Sequence, residues 1–494
     1  MDVFVKNITG DIFVGKVWNE VTTVYPDFTH PNASKYWSKQ FERFYSEIKF
    51  DGAWIDMNEP ANFLDGQGNG CPNTTYDFPQ YVPGGVEPLH THTLCMSSKH
   101  HESIHYNIHS VYAFNEAIIT NKLLKTLLNK RPFVISRASF AGLGHYSGNW
   151  NGDILSTWDD MRWSIPYILN FNMFGVSMAG ADICGFEENT TIELCSRWSA
   201  LGAFYPFSRN HNSNDTIEQD PVILGPQVTA AAKQSLTTRY FLLPFLYTLF
   251  YKSHVYGDPV VRPLFFEYPT DPKTFAIDEQ FLWGRSLMII PILYPNVSNV
   301  NGYFPNDTWY DYYTGKMYVE RGSNILIHVP IDRVHLAIRG GFILPAQFPS
   351  DTTTKSRLNG FFLIVALNDS KMAEGELFWD DGDSLDSLES SKYNIIEFKA
   401  YNNYLKTIPV MKGYDKMPKL ETVKVLGCER KPKSILANGV VVSFQYNKYN
   451  QVIMLLIINK VYWTIVFPHI YCNILNIVKS KCKIVMHNFK FISY

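Results

Sequence analysis

The sequence predicts a parallel α/β layer of the barrel kind, followed by antiparallel β-sandwich domains. Three observations carry this. Phe50-Asp51-Gly52-Ala53-Trp54-Ile55 is a short run of strand-favouring residues that ends on two carboxylates, Asp56 and Glu59, before Pro60 removes a backbone donor. A buried strand that finishes in acids is how a parallel α/β barrel presents chemistry, at the carboxyl ends of its strands. Helix and strand patterns then alternate up to about residue 258, with polar residues recurring at strand ends, and from about residue 259 short strands alternate with turn signals.

In chain order, Asp11 to Trp18 reads as a strand, followed by a loop through Pro26 and Pro31. Trp37, Phe41, Phe44 and Ile48 recur at i, i+4, i+7 and i+11, which predicts a helix over 33–48. Residues 64–100 are a loop rich in Gly, Pro and Asn, and a helix is expected over 103–129. Strands follow at Phe133–Ser136, ending at Arg137, at Gly175–Ile183, ending on Asp182, and at 203–207, ahead of Arg209-Asn210-His211. A long helical region covers 227–254.

The later strands are expected at 260–266, 281–293, 334–344, 361–367 and 376–379, with a second β region from about 349 onward. That region includes Val423–Gly427 and a hairpin turn at Asn438-Gly439. The apolar run Val452 to Phe467 is interrupted by Asn459 and Lys460 and is shorter than the roughly 20 residues of a membrane span, so it reads as buried strands.

Composition narrows the class. A chain of 494 residues has room for two to four domains with sizeable cores. A net charge of −2 gives no electrostatic footprint for nucleic acid or anionic membrane. Eleven Trp and 30 Tyr suit the packing of sugar C–H faces on flat rings, although large cores use aromatics too. Cysteines at 71, 95, 184, 195, 428, 472 and 482 and sequons at Asn7, Asn32, Asn73, Asn189, Asn214, Asn296, Asn306 and Asn368 point to the secretory pathway. Residues 1–20 contain no apolar stretch of the kind that opens a signal peptide.

A second polar cluster accompanies the first: Ser136-Arg137-Ala138-Ser139-Phe140, Trp150-Asn151-Gly152-Asp153 and Trp158-Asp159-Asp160. Together with Asp56 it supplies the two carboxylates that glycoside hydrolysis requires across one bond, one of them held protonated by its surroundings. Trp54-Ile55-Asp56-Met57-Asn58-Glu59-Pro60 resembles the nucleophile signature of glycoside hydrolase family 31, in its α-glucosidase branch. The Asp153 cluster resembles that family's acid/base segment. Gly180-Ala181-Asp182-Ile183-Cys184-Gly185-Phe186 and Phe204-Tyr205-Pro206-Phe207-Ser208-Arg209-Asn210-His211 resemble two of its substrate-contacting segments. Trp309 to Gly315 and Leu377 to Asp383 also look like family segments, so the similarity covers roughly residues 4–445.

The resemblance implies a retaining α-glucosidase that releases terminal α-1,4-linked glucose from maltose, malto-oligosaccharides or glycogen, with no metal or organic cofactor. Asp56 is then the nucleophile, ionised at working pH, and Asp153 the largely protonated acid/base. Met57, Arg137, Trp150, Asp182, Phe186 and His211 would contact the sugar, and Trp18 would line the pocket. Cys71–Cys95 and Cys184–Cys195 match the family's disulfide positions, while Cys428 and the stretch after 468, with Cys472 and Cys482, have no match. The implied architecture is a partial (β/α)8 barrel over 1–258 lacking its first strands, β-sandwich domains over 259–348 and 349–467, and an unassigned 468–494. The family places a β-sandwich and the opening barrel strands ahead of these residues, so the chain alone is expected to show little activity. The expected partner is an oligosaccharide or polysaccharide substrate, with no nucleic acid and no transmembrane span. The expected location is the lysosome, the cell surface or the extracellular space.

Two rival readings come from other classes. His101-Glu102-Ser103-Ile104-His105 satisfies the H-E-x-x-H pattern on the helix expected there, which is a zinc peptidase signature. Residue 111 is Val where a third ligand could stand, and His90, His92, His100, His101, His105 and His109 make the segment simply His-rich, so structural histidines are expected. A non-catalytic sugar-binding protein would keep the aromatic pocket without turnover. Asp380-Asp381-Gly382-Asp383 lacks the loop length and closing Glu of a calcium-binding EF-hand and reads as a turn.

Overall fold

The computed structural model describes residues 2–82, 84, 87–456 and the backbone of a strand at Thr464–Val466. Four short parallel strands stand side by side: Ala53–Ile55, Val134–Ser136, Gly148–Trp150 and Ala179–Gly180. A second parallel pair, Asp182–Ile183 with Arg209–Asn210, begins one residue further along. Parallel strands need covered crossovers. Here helices Ala33–Glu47, Tyr112–Leu128, Trp158–Met173, Ile192–Gly202, Pro226–Phe241 and Leu243–Tyr256 supply the α layer. Thr157 and Thr191 each cap a helix by accepting a backbone N–H three residues on, from Asp160 and Leu194. Strand and loop approach so closely at Gly180 that a Cβ there would lie 1.9 Å from the Phe207 carbonyl oxygen.

The helix expected over 33–48 forms at Ala33–Glu47. The Asp11–Trp18 strand shrinks to Val14–Gly15, paired with Thr23–Val24. The expected 203–207 strand is a turn instead. Ala203, Phe204 and Tyr205 are buried, but Arg239 donates to the carbonyls of Ala203, Tyr205 and Pro206, so these carbonyls are satisfied by a guanidinium and the strand begins at Arg209. The 175–183 run divides into its two strands around Ala181. The 227–254 helical region breaks at Leu242, two residues before Pro244. The 103–129 helix starts at His105 and passes through a 3₁₀ turn at His109–Val111 before the long helix from Tyr112.

Beyond the barrel region, Val261–Arg262, Phe281–Trp283, Leu287–Ile290, Trp309–Asp311 and His335–Arg339 form one antiparallel sheet. The 281–293 run is two antiparallel strands reversed after Trp283, and the 334–344 run divides at Gly340-Gly341 into strands of two different sheets. An eleven-stranded sheet gathers strands from Phe342–Gln347 onward. Asn438 and Gly439 adopt φ of +47° and +80° and join the antiparallel pair Ile435–Ala437 and Val440–Val442, the hairpin that the dipeptide predicts. Val452–Leu456 pairs with Leu420–Leu426, while 457–463 and 467–494, including Cys472 and Cys482, lie outside the described residues.

The division at 258, 348 and 467 stays a proposal. Phe342–Gln347, ahead of residue 348, pairs along its whole length with Phe361–Ala366, behind it. Among the contacts that tie the barrel region to the antiparallel sheets are two side-chain links. Trp283 Nε1 donates to the Phe204 carbonyl, and Arg131 reaches Asp380.

Candidate active site

Because the strands run parallel, their carboxyl ends meet at one edge, and nearly every residue singled out in the sequence sits there. Asp56 follows Ala53–Ile55, Arg137 follows Val134–Ser136, Asp153 lies just past Gly148–Trp150, and His211 follows Arg209–Asn210. The turn after Asp56 carries Met57 at φ +57°, a left-handed conformation that costs energy for any residue but Gly. Buried Asn58 fastens that turn to the neighbouring strand end. Its side chain donates to Ser136 Oγ and accepts from the Ala138 N–H.

Arg137 is the hub. Its Nη1 lies 3.3 Å from Asp56 Oδ1 and 3.9 Å from Asp153 Oδ2. Two distances to one atom cap the separation of those oxygens at about 7 Å. The remaining edge of the guanidinium makes a two-pronged ion pair with Glu59, at 2.8 and 2.9 Å. Asp56 Oδ1 also accepts from the Met57 N–H at 2.7 Å. Burial pushes the Asp56 carboxyl above its ordinary range, and Arg137 and the Met57 N–H pull the other way. Desolvation outweighs the cation, so the net shift of this carboxyl is upward.

Asp182 is fully buried, with one oxygen 2.8 Å from Arg209 Nη2 and the other, Oδ2, without a partner. Burial lifts it to about 7 despite Arg209. Trp150 Nε1 and Arg209 Nε are likewise buried and unpartnered. Aromatic rings enclose these groups. Trp54 packs edge-on to Trp150 and His211, Phe186 lies 5.1 Å from His211, and the Arg209 guanidinium sits 4.7 Å over Trp54. Burial and the Arg209 charge push His211 below the usual imidazole range. Trp18 is 80% exposed and stands at the rim, its Nε1 2.8 Å from Met57 Sδ and its ring edge-on to Phe63.

Contacts thus join Asp56, Met57, Arg137 and Asp153 around one cation, and Trp150, Asp182, Phe186 and His211 around Arg209 and Trp54. Sequence reasoning assigns no role to Glu59, Trp54 or Arg209. The signal is present, since all three flank assigned residues within two or three positions at strand ends.

Both expected disulfides are present, Cys71–Cys95 and Cys184–Cys195, and Cys428 is buried and free. The H-E-x-x-H reading requires correction. His101 and Glu102 are exposed and precede the helix that begins at His105, so the two histidines do not share one helical face. Both ring nitrogens of His105 are engaged by His100 and His109. Among the described residues the metal-type group is Cys71, Asp77 and Cys95, and its two sulfurs are joined to each other. Asp380 is a turn residue, as expected, bound to the backbone N–H of Gly382.

Comparison with known proteins agrees with the fold. A model described as glycosyl hydrolases family 31 TIM-barrel domain matches residues 1–249, and one described as glycosyl hydrolase family 31 C-terminal domain matches 257–344. The chain is 44% identical over 467 residues to lysosomal alpha-glucosidase of Rattus norvegicus, covering 90% of this chain and 49% of that protein. It is 41% identical to intestinal sucrase-isomaltase of Oryctolagus cuniculus, over 90% of this chain and 25% of the relative. A crystal structure of glucosidase II alpha subunit superposes with a TM-score of 0.84 at 26% identity, covering 94% of this chain and 52% of the other. The chain spans about half the length of the lysosomal relative, or less for the intestinal one. The chain belongs to glycoside hydrolase family 31.

Proposed function

We propose that this chain carries the catalytic centre of a retaining α-glucosidase acting on terminal α-1,4-linked glucose in maltose, malto-oligosaccharides or glycogen. The observation that carries this reading is the single Arg137 nitrogen standing within 4 Å of both Asp56 and Asp153. Retaining glycosidases hold their two carboxyls about 5–5.5 Å apart and inverting ones about 6.5–9.5 Å. A separation of at most about 7 Å between Asp56 Oδ1 and Asp153 Oδ2 accommodates the retaining spacing and supports that reading.

In the first step an Asp56 oxygen bonds to the anomeric carbon, the glycosidic C–O bond breaks, and Asp153 gives its proton to the leaving oxygen. In the second, Asp153 as carboxylate takes a proton from water, the water oxygen bonds to the anomeric carbon, and the ester to Asp56 breaks. Arg137 compensates whichever carboxylate is ionised, which keeps Asp56 competent against the desolvation that raises it. The unpartnered atoms of Trp150, Asp182 and Arg209 are buried donors and acceptors beside one another, the complement of sugar hydroxyls. Neutral His211 beside Phe186 adds an imidazole that can donate or accept. The disulfides and the lysosomal relatives support a place in the secretory pathway or lysosome. Among the described residues no helix is long and apolar enough to cross a membrane.

Azide rescue tests the assignment. Asp56→Ala is expected to abolish turnover, with azide partly restoring it and yielding the β-glucosyl azide. An α-configured azide product from Asp56→Ala removes Asp56 from the nucleophile role.

A further inference from the structure

A row of three imidazoles occupies the His-rich stretch that the sugar chemistry does not use. His100 Nδ1 stands 3.2 Å from Asp27 Oδ1, His100 Nε2 lies 3.0 Å from His105 Nδ1, and His105 Nε2 lies 3.0 Å from His109 Nδ1. His100 and His105 are buried and nearly coplanar in their stacking, at 17°. His109 is half-buried at the outer end, where its Nε2 has no hydrogen-bond partner among the described residues.

The inner end fixes the direction of every proton in the row. Asp27 is buried, yet it accepts from the N–H and hydroxyl of Thr29 and from the His101 N–H. Burial pushes its carboxyl up, but the bonds from His100 and Thr29 outweigh this and hold it at about 2. An ionised carboxylate only accepts. His100 therefore donates from Nδ1 and offers a lone pair at Nε2, His105 donates from Nδ1 into that lone pair, and His109 donates from Nδ1 into the next. With no ring charged, all three are Nδ1–H tautomers.

We propose that the row is a one-proton wire: a proton taken at Nε2 of His109 is conducted inward through the two imidazole hydrogen bonds and rests on His100 against Asp27. The balance is one proton and one positive charge in, with no heavy-atom bond made or broken. His109 gains Nε2–H and passes its Nδ1 proton to His105 Nε2. His105 passes its Nδ1 proton to His100 Nε2. In the loaded row His105 and His109 are neutral Nε2–H tautomers and His100 is an imidazolium paired with Asp27. The outer nitrogen has changed from acceptor to donor.

The surroundings favour charge at the inner end. Burial pushes His105 well down and His109 down, so neither retains the proton. The charge of Glu59, itself bound by Arg137, acts on His109 and favours entry there. Glu116, on the next helix, is raised by burial to about 8 and is uncharged below that pH. Tyr112, edge-on to His100, donates its hydroxyl to the Pro26 carbonyl, and burial keeps it and Tyr25 as neutral phenols. His30 and His101 pack against each other beside the Asp27 loop, and exposed Glu102 is tied to the same loop by its backbone N–H on Thr29 Oγ1. Among the described residues Asp27 is the ionised group hydrogen-bonded to the row.

Nitrogen NMR of the full chain labelled with ¹⁵N-histidine tests this. Couplings across the N–H···N bonds identify the three rings without any substitution. On acidification through roughly pH 8 to 5, the range where imidazoles charge, His105 and His109 should exchange Nδ1–H for Nε2–H while His100 becomes doubly protonated, all with one shared midpoint. If His109 alone becomes imidazolium while His105 keeps its tautomer, or if none of the three titrates, the wire is wrong. Asp27→Asn should lower the shared midpoint by at least about one pH unit, a tenfold loss of proton affinity, and an unchanged midpoint also overturns the proposal. Should Asp27→Asn fail to fold, the measurement on the unaltered chain decides.

Discussion

Two arginine–carboxylate clusters of similar composition sit in this molecule and differ in one respect. At the strand ends, Asp182 meets Arg209 through one oxygen while the other has no partner, and Trp150 Nε1 and Arg209 Nε are also unmet. At the junction of barrel and distal sheet, equally buried Asp380 is saturated. Arg131 Nη2 and Ser387 Oγ donate to Oδ2, and Tyr247 OH and the Gly382 N–H donate to Oδ1. Buried polar atoms left unpaired cost stability. Where they cluster beside the proposed catalytic acids, they are spare capacity for a ligand. The saturated cluster holds elements together; the unsaturated one is poised to bind.

Exchanging each acid for its amide breaks the comparison most severely. Asp182→Asn is expected to cut kcat/KM on the order of a thousandfold, the scale of lost charged hydrogen bonds to a transition state, without lowering Tm near pH 7. Asp380→Asn is expected to lower stability by about 3 kcal/mol, as breaking a buried ion pair does, with kcat of the folded fraction nearly unchanged. Activity assays beside thermal melts separate the two, and a variant showing the other's pattern would dissolve the distinction. The pH dependence has a definite sign. Asp182 is raised in the folded state to about 7 from an ordinary carboxyl near 4. It therefore favours folding below about pH 4, and that contribution is lost as pH rises through 7. The Tm of Asp182→Asn relative to the unaltered chain should accordingly rise between pH 4 and 8.

Glu59 gives a smaller and sharper test. It touches Arg137 through both oxygens, and Arg137 touches both proposed catalytic acids, so Glu59 acts through another residue. Glu59→Gln keeps the shape but loses one charged prong. The expected result is a tenfold to hundredfold fall in kcat with little change in KM, and a displaced acid limb of the pH–rate profile. A change confined to KM would make Glu59 a substrate-binding group instead.

Much of the site is legible in the sequence, and the misses share a cause. Asp56 and Arg137 stand out because polar residues close apolar runs, while Asp153 and His211 are picked out by the family resemblance of their segments. Asn438-Gly439 stands out because only a two-residue reversal suits two positive φ values. The 203–207 run misleads because burial of Ala203, Phe204 and Tyr205 resembles a core strand, and nothing local says that Arg239, more than 30 residues on, takes their carbonyls. Arg209 is flagged by its place two residues before His211, but its pairing with Asp182, distant in sequence, is not. Pairings between distant residues decide these cases, and composition and period carry no trace of them.

The smallest expected effect sharpens the comparison from the other side, with groups that look like a site in the sequence and are saturated in the fold. His105 spends both nitrogens on neighbouring imidazoles, and the sulfurs of Cys71 and Cys95 are bonded to each other, so neither offers a free ligand atom. His101 and Glu102 are exposed and project from a segment before the helix, without the shared face that a zinc site of that spacing requires. Exhaustive chelation should therefore leave the proposed glucosidase activity within error of the untreated protein, and His101→Ala should leave both kcat and KM unchanged. Loss of activity on chelation that returns with zinc would show that an unsaturated metal site exists, and that counting unmet hydrogen bonds had overlooked it.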